Sequence, residues 1–287
     1  MPYTDSGGAK IYWETRGQGE PLLLIPGLGA VMEQWHRIEP VLSSRFQTIL
    51  FDNRGMGRSD VAPGPYSIDG MAGDAAAVVE ASGASAVHVL GMSMGGMIAQ
   101  ELALAHPEKV RSLVLGCTTC GGREGVLASR EVRAALDPNP ALSREEAFWA
   151  TSSCIYAADT PRTRLAEDLE ARLRGKRTLD GYVNQLKAVR SWKGTHDRLG
   201  TLRVPTLVIH GELDQLIPAD NGRILAAAIP GAKLAMLPGA AHIFLTDRFE
   251  PACEAIVSFI EDSESGRTPR KHENTKNSPQ KHEDTKR

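Results

Sequence analysis

The 287-residue sequence is short of several things, and each shortage excludes a class of protein. Its four cysteines, Cys117, Cys120, Cys154 and Cys253, are too few and too scattered for a disulfide framework. Its formal net charge is −2, so no overall field draws it to nucleic acid or to an acidic membrane surface. No apolar run approaches the roughly 20 residues that a membrane-spanning helix needs. Met1-Pro2-Tyr3-Thr4-Asp5 lacks the basic and apolar regions of a signal peptide. The expectation is a cytoplasmic protein with no nucleic-acid or membrane partner. Cys117-Thr-Thr-Cys120 has redox-motif spacing, yet it follows an apolar strand and has no second pair to complete a zinc site, so unconnected thiols are expected.

What is present is enough for one large core with an elaboration: 41% hydrophobic and 24% charged residues in a chain of this length. The stretch that organises it is Val87-His88-Val89-Leu90-Gly91-Met92-Ser93-Met94-Gly95-Gly96. A buried strand runs directly into Gly-x-Ser-x-Gly, and Met97 to Ala105 follows with helical apolar spacing. In that order the motif reads as a nucleophile elbow. Gly91 and Gly95 leave room for a sharp, strained turn that lifts the Ser93 hydroxyl clear of the sheet. A glycine-rich turn around a solvated serine is the competing reading.

Strand signals recur at Lys10–Thr15, read as antiparallel, and at Leu22–Ile25, whose continuous apolar run suits a strand covered on both faces. Pro26-Gly27-Leu28-Gly29 follows, where backbone N–H groups can face a cavity. Phe46–Phe51, Val110–Leu115, Val204–His210 and Ala232–Leu237 complete the series, with helices at Ser67–Gly83, from Pro218 to Ala228, and from Phe249 to Ile260. Alternating strand and helix predicts a mainly parallel sheet with helices on both faces. Asp52 and Arg54, in the charged loop Asp52–Ser59, are expected to brace that loop as a pair or network.

Between residues 121 and 196 the strand signals vanish and short amphipathic helices take over, which predicts an inserted helical cap. The core is then residues 1–120 and 197–261. Phe148, Trp149, Tyr156 and Trp192 either wall a pocket or fill the cap's own small core. Residues 262–287 contain no aromatic or aliphatic side chains and carry a near-repeat, Lys271–Lys276 and Lys281–Lys286; a disordered tail is expected.

Asp214 and His242 each fall a few residues past the C-terminal end of a late strand, where the loops of a parallel sheet converge. The chain order Ser93, Asp214, His242 is the order associated with this elbow. Glu212 and Asp220 compete for the acid and His210 for the base; His210 ends a strand and is expected to lie buried behind the site.

Taken together, Pro26-Gly-Leu-Gly29, Asp52–Ser59, Gly91–Gly96, Gly211-Glu-Leu-Asp214 and Ala241-His242 make the chain resemble an α/β-hydrolase over about Lys10 to Ile260. Within that superfamily it is most similar to small capped carboxylesterases and 3-oxoadipate enol-lactonases. The resemblance implies a mainly parallel eight-stranded sheet, Ser93 as nucleophile, His242 as base, Asp214 as orienting acid, and the Leu28 and Met94 amides as the oxyanion hole. Gly27, Trp149, Tyr156, Ile217 and Ile243 are the expected pocket residues. Pro26 stands where the family often has His, a departure that leaves the amide donors intact. Haloalkane dehalogenases place Asp at the position of Ser93. The implied activity is hydrolysis of a small ester or lactone through an acyl-enzyme, with no metal or organic cofactor. A carbon–carbon hydrolase or acyltransferase using the same three residues, and a low-turnover receptor, are the alternatives.

Overall fold

The computed structural model describes residues 2–265. Its centre is an eight-stranded sheet: β1 Tyr3–Ser6, β2 Ala9–Arg16, β3 Pro21–Ile25, β4 Gln47–Phe51, β5 Val87–Met92, β6 Val110–Gly116, β7 Thr206–Gly211 and β8 Lys233–Leu237. The spatial order is β1-β2-β4-β3-β5-β6-β7-β8. β2 runs antiparallel to β1 and β4, and the remaining pairs are parallel. β2 to β8 fall where the hydrophobic runs predict strands. β1 was not anticipated. It pairs with β2 across Gly7-Gly8, whose φ values of 51° and 78° fit a two-residue hairpin turn.

Helices of nine residues or more are α1 Ile68–Ala81, α2 Met94–Ala105, α3 Arg144–Ile155, α4 Arg162–Arg174, α5 Leu179–Ser191, α6 Asp220–Ala228 and α7 Phe249–Ser265. Strand pleating sends alternate side chains into two cores. Leu23 and Ile25 of β3 share one with residues of α1, α2 and α6. Leu22 and Leu24 share the other with Trp35, Ile38, Leu42 and residues of α7. α1 starts at Ser67, whose side chain accepts the Gly70 N–H, which selects Ser67 over Asp69 as the cap. Pro218 lies just ahead of α6 and is not its first residue. α7 continues to Ser265, past Ile260 and into the segment expected to be tail; residues 266–287 lie outside the described residues. Among the described residues, no helix is long and apolar enough to cross a membrane.

Between β6 and β7 the regular elements are all helical: Arg130–Ala134, α3, α4, α5 and His196–Leu199. α3 carries a full capping box between Ser143 and Glu146. Long-range polar contacts tie this insertion to the sheet's loops. Gln185 of α5 accepts the Gly29 N–H at 2.9 Å and donates to the Arg54 carbonyl at 2.9 Å. The Ile243 N–H donates to the carbonyl of Ile155, the last residue of α3, at 3.0 Å.

Arg54 does not pair with Asp52. It forms a two-pronged salt bridge with Asp74 of α1, both contacts at 2.6 Å. Asp52 instead accepts the Met32 and Arg58 backbone N–H groups, each at 2.9 Å. Both residues brace the loop, through separate partners that lie 20 positions away for Arg54 and as many for Asp52 at Met32. Such partners are set by packing and not by local spacing.

A Cβ placed on Gly95 would overlap the Ile25 carbonyl oxygen, and one on Gly91 would overlap the Gly95 carbonyl. Both obstacles are backbone and cannot swing aside. Gly95→Ala is therefore expected to cost about 3 kcal/mol, the upper end for an overpacked core. A urea midpoint unchanged from the parent would contradict this close packing.

Candidate active site

β5 delivers the chain into the turn at Ser93, whose φ of 57° and ψ of −121° place it in strained backbone space. The turn is held from several sides. Ser93 N–H donates to the Gly116 carbonyl at 2.9 Å, while the Ser93 carbonyl accepts Thr118 Oγ1 at 2.7 Å and the Gly96 N–H at 2.9 Å. α2 begins at Met94, so its N-terminal amides and dipole sit beside Ser93. Next to it, β3 ends in Pro26-Gly27-Leu28-Gly29. Asn53 Nδ2 donates to the Pro26 carbonyl at 3.0 Å, and the Gly27 N–H donates to Gln34 Oε1 at 3.2 Å. A Cβ on Gly27 would lie 3.4 Å from Ser93 Cβ, so the two loops are in contact.

β7 leads to Asp214 and β8 to His242. Asp214 Oδ1 accepts the Leu216 and Ile217 N–H groups, both at 2.9 Å, and Oδ2 pairs with His242 Nδ1 at 2.8 Å. Both residues are buried, at 5% and 4% exposure. Burial pulls the Asp214 pKa upward. The facing His242 imidazole and the hydrogen bonds from His210 and His242 overcome that pull and hold it down at about 2. His210 is fully buried beside the carboxylate; its Nε2 donates to the Ile217 carbonyl at 2.8 Å and sits 3.3 Å from Asp214 Oδ2. The competing acids point elsewhere: Asp220 pairs with Arg223, and Glu212 is exposed. Asp247 clamps the His242 loop by accepting the Ala241 N–H at 2.8 Å and the Ala157 N–H at 3.2 Å.

Ser93, Met94, Leu28 and His242 all line one cavity of about 1620 Å³, walled on its other side by the helical insertion. Gly27, Ile217 and Ile243, expected at a substrate pocket, line this cavity together with Phe148 and Trp192. Trp149 and Tyr156 do not. Tyr156 is buried in the insertion's own core, its hydroxyl donated to Asp168 at 2.9 Å, and burial raises its pKa. Trp149 lies under the Arg162 guanidinium, 4.3 Å from ring centroid to Cζ. A shift of one or two residues along a helix turns a side chain to another face, and composition does not supply that phase. Met97, Leu186 and Val189 also line the cavity and were missed; each lies on the apolar stripe of a helix, a signal that core residues share.

Cys117 and Cys120 are free and buried; burial raises both thiol pKa values, that of Cys120 to about 11. Among the described residues, no group of histidine, cysteine or carboxylate side chains could hold a metal ion.

A parallel sheet with a strained serine between strand and helix, and a carboxylate–histidine pair on the loops that follow later strands, defines the nucleophile-elbow class of α/β proteins. The family model described as the alpha/beta hydrolase fold matches residues 20–249, and the chain belongs to that family. A protein of Azorhizobium caulinodans provisionally named a carbamate hydrolase is 34% identical over 248 residues, covering 85% of this chain and 92% of its own. The poly(3-hydroxyalkanoate) depolymerase of Ectopseudomonas oleovorans is 31% identical over 247 residues, 84% of each chain. Among solved structures, an esterase from Exiguobacterium antarcticum superposes with a TM-score of 0.79 at 25% identity, covering 90% of this chain and 98% of its own.

Because the folded Asp214 pKa lies below its unfolded value of about 3.9, the carboxylate contributes stability above that pH which is lost as pH falls toward about 2. Asp214→Asn is expected to flatten the loss of stability over that window. Urea midpoints measured across it test this; equal acid slopes for parent and variant would count against the buried charge.

Proposed function

We propose that the protein hydrolyses carboxylic esters or lactones through an acyl-enzyme on Ser93. The observation that supports this most directly is the 2.8 Å contact between His242 Nδ1 and Asp214 Oδ2, made on loops that line the same cavity as Ser93. With Nδ1–H donated to the carboxylate, neutral His242 presents an unprotonated Nε2. The names of the relatives, a depolymerase and an esterase among them, agree with hydrolysis of an ester.

In the first step Ser93 Oγ attacks the substrate carbonyl carbon while His242 Nε2 takes its proton. The Leu28 and Met94 N–H groups hold the resulting oxyanion. Met94, as the first residue of α2, has no intrahelical acceptor for its N–H, which leaves that donor for the substrate. The intermediate collapses, the carbon–oxygen bond to the alcohol breaks, and His242 returns the proton to the leaving oxygen. In a lactone that oxygen stays tethered to the acyl chain. His242 then takes a proton from water as the water attacks the acyl-enzyme, and gives it to Ser93 Oγ as the acid departs. Asp214 fixes the imidazole tautomer and stabilises its cation throughout. The insertion of residues 121–196 acts as a cap whose α5 steadies the oxyanion loop through Gln185 and Gly29.

The test is turnover of p-nitrophenyl esters from acetate to decanoate, and of simple lactones, by the parent and by Ser93→Ala. The variant is expected to lose on the order of 10⁵ to 10⁶ in kcat, as when one member of a concerted triad is removed. A fluorophosphonate should label the parent at Ser93. Turnover or labelling that survives in Ser93→Ala would sink the assignment.

A further inference from the structure

The chain carries a formal net charge of −2, yet its cavity is lined by nine arginines and lysines against four carboxylates. Two of those carboxylates are engaged, Asp168 by Arg37 and Asp137 by Arg190. On the insertion side Arg144, Arg172 and Arg177 make contacts of another kind. Arg144 donates to the backbone carbonyls of Arg172 and Leu173. Arg172 lies over the Phe148 ring, 5.2 Å from its centroid, and Arg177 over Tyr182 at 3.9 Å. Among the described residues, no carboxylate forms a salt bridge with any of the three. Arg177 keeps an exposed face; partial burial lowers its pKa, and the neighbouring Arg172 and Arg144 charges lower it further, against a contribution from Tyr182 in the other direction. A positive group so placed gains from an anion entering the cavity.

Arg177 is also fixed next to the chemistry. Its Nε lies 3.3 Å from the position a Cβ on Gly29 would take, and Gly29 follows the expected oxyanion donor Leu28. Its backbone forms a β-bridge with Met56, the preceding Lys176 carbonyl accepts the Gly57 N–H at 2.7 Å, and the following Thr178 hydroxyl donates to the Gly55 carbonyl at 3.2 Å. Both sides of the residue are thus fastened to the loop after β4. Gly27, which touches Ser93, is two residues from Gly29, and two residues span at most about 7 Å.

We propose that Arg177, with Arg144 and Arg172 behind it, forms a subsite for an anionic group at the far end of the acyl half of the substrate. The preferred esters are then those whose acyl chain ends in a carboxylate or phosphate. This inference rests on the ester-hydrolase reading, and its test separates the two. In Ser93→Ala protein, binding is measured by calorimetry for monomethyl adipate, for methyl hexanoate as its neutral counterpart, and for a methyl ester of similar length ending in a phosphonate. Charge-assisted hydrogen bonds of the usual strength predict that an anionic ester binds about 10-fold to 100-fold more tightly than the neutral one. The tighter of the two anions identifies the terminal group. Adding Arg177→Met is expected to bring the ratio close to one, and Arg177→Lys, which keeps the charge and loses the planar fork, to leave part of it. Equal affinity for neutral and anionic esters in Ser93→Ala, or a preference that survives Arg177→Met undiminished, overturns the subsite. Neither result depends on whether the parent enzyme turns any of these esters over, which decides the hydrolase reading by itself.

Discussion

The contact on which the structure turns is the crossing of α2 over the end of β3, where Gly95 presses against the Ile25 carbonyl without a side chain between them. That approach puts the first amides of α2 next to the loop Pro26–Gly29 and leaves Ser93 no ordinary conformation to adopt. Its φ of 57° is costly for a residue with a Cβ, by about 1–3 kcal/mol. Around it the Ser93 amide and carbonyl are both hydrogen-bonded, to Gly116 and to Thr118 and Gly96. The strain persists because two strands and a helix over-determine the turn. The proposed chemistry requires the same rigidity, since oxyanion donors act only when held at the place where charge develops.

The second constraint is electrostatic. Asp214 is buried, which alone would favour its neutral form, and it stays ionised because two backbone amides and two imidazoles converge on it. His210 fills the space on one side and ties itself to Ile217, while His242 faces the cavity from the other. The carboxylate thus separates a fully buried histidine from one that lines the cavity. Asp247 and the Ile155 carbonyl hold the His242 loop from outside, so the insertion helps to aim the imidazole as well as roof the cavity.

Most of this was legible in the sequence wherever chemistry and chain order are local. The elbow is a strand, a turn and a helix within 20 residues, and the Asp214 and His242 loops are marked by the strands ahead of them. What was not legible depends on side-chain phase or on partners far apart in the chain. Tyr156 and Trp149 were expected at the pocket because aromatic composition suggested a wall, but helix phase sends one to Asp168 and the other under Arg162. Gln185 reaches Gly29 across 156 positions, and no spacing rule anticipates such a contact. β1 was overlooked because four residues that alternate exposed and half-buried give almost no hydrophobic signal. The Gly7-Gly8 turn was the one clue available.

The cavity's size bears on what the insertion must do. At about 1620 Å³ it exceeds the roughly 300–1,000 Å³ that usually encloses a small ligand. A short neutral ester would be held loosely there, because apolar contact around one carbonyl leaves the rest of the molecule free to reorient. Orientation then has to come from a few directional groups, and in the proposed subsite the positive charges supply them. Low-dielectric walls focus that charge on the interior, so a chain that is slightly acidic overall can still attract an anion to one place. Because residues 176–178 are hydrogen-bonded or bridged to the loop after β4, the charge is also fixed relative to Gly29 and hence to the elbow. In the proposed subsite, position and charge together set the register of a substrate without touching the bond that breaks.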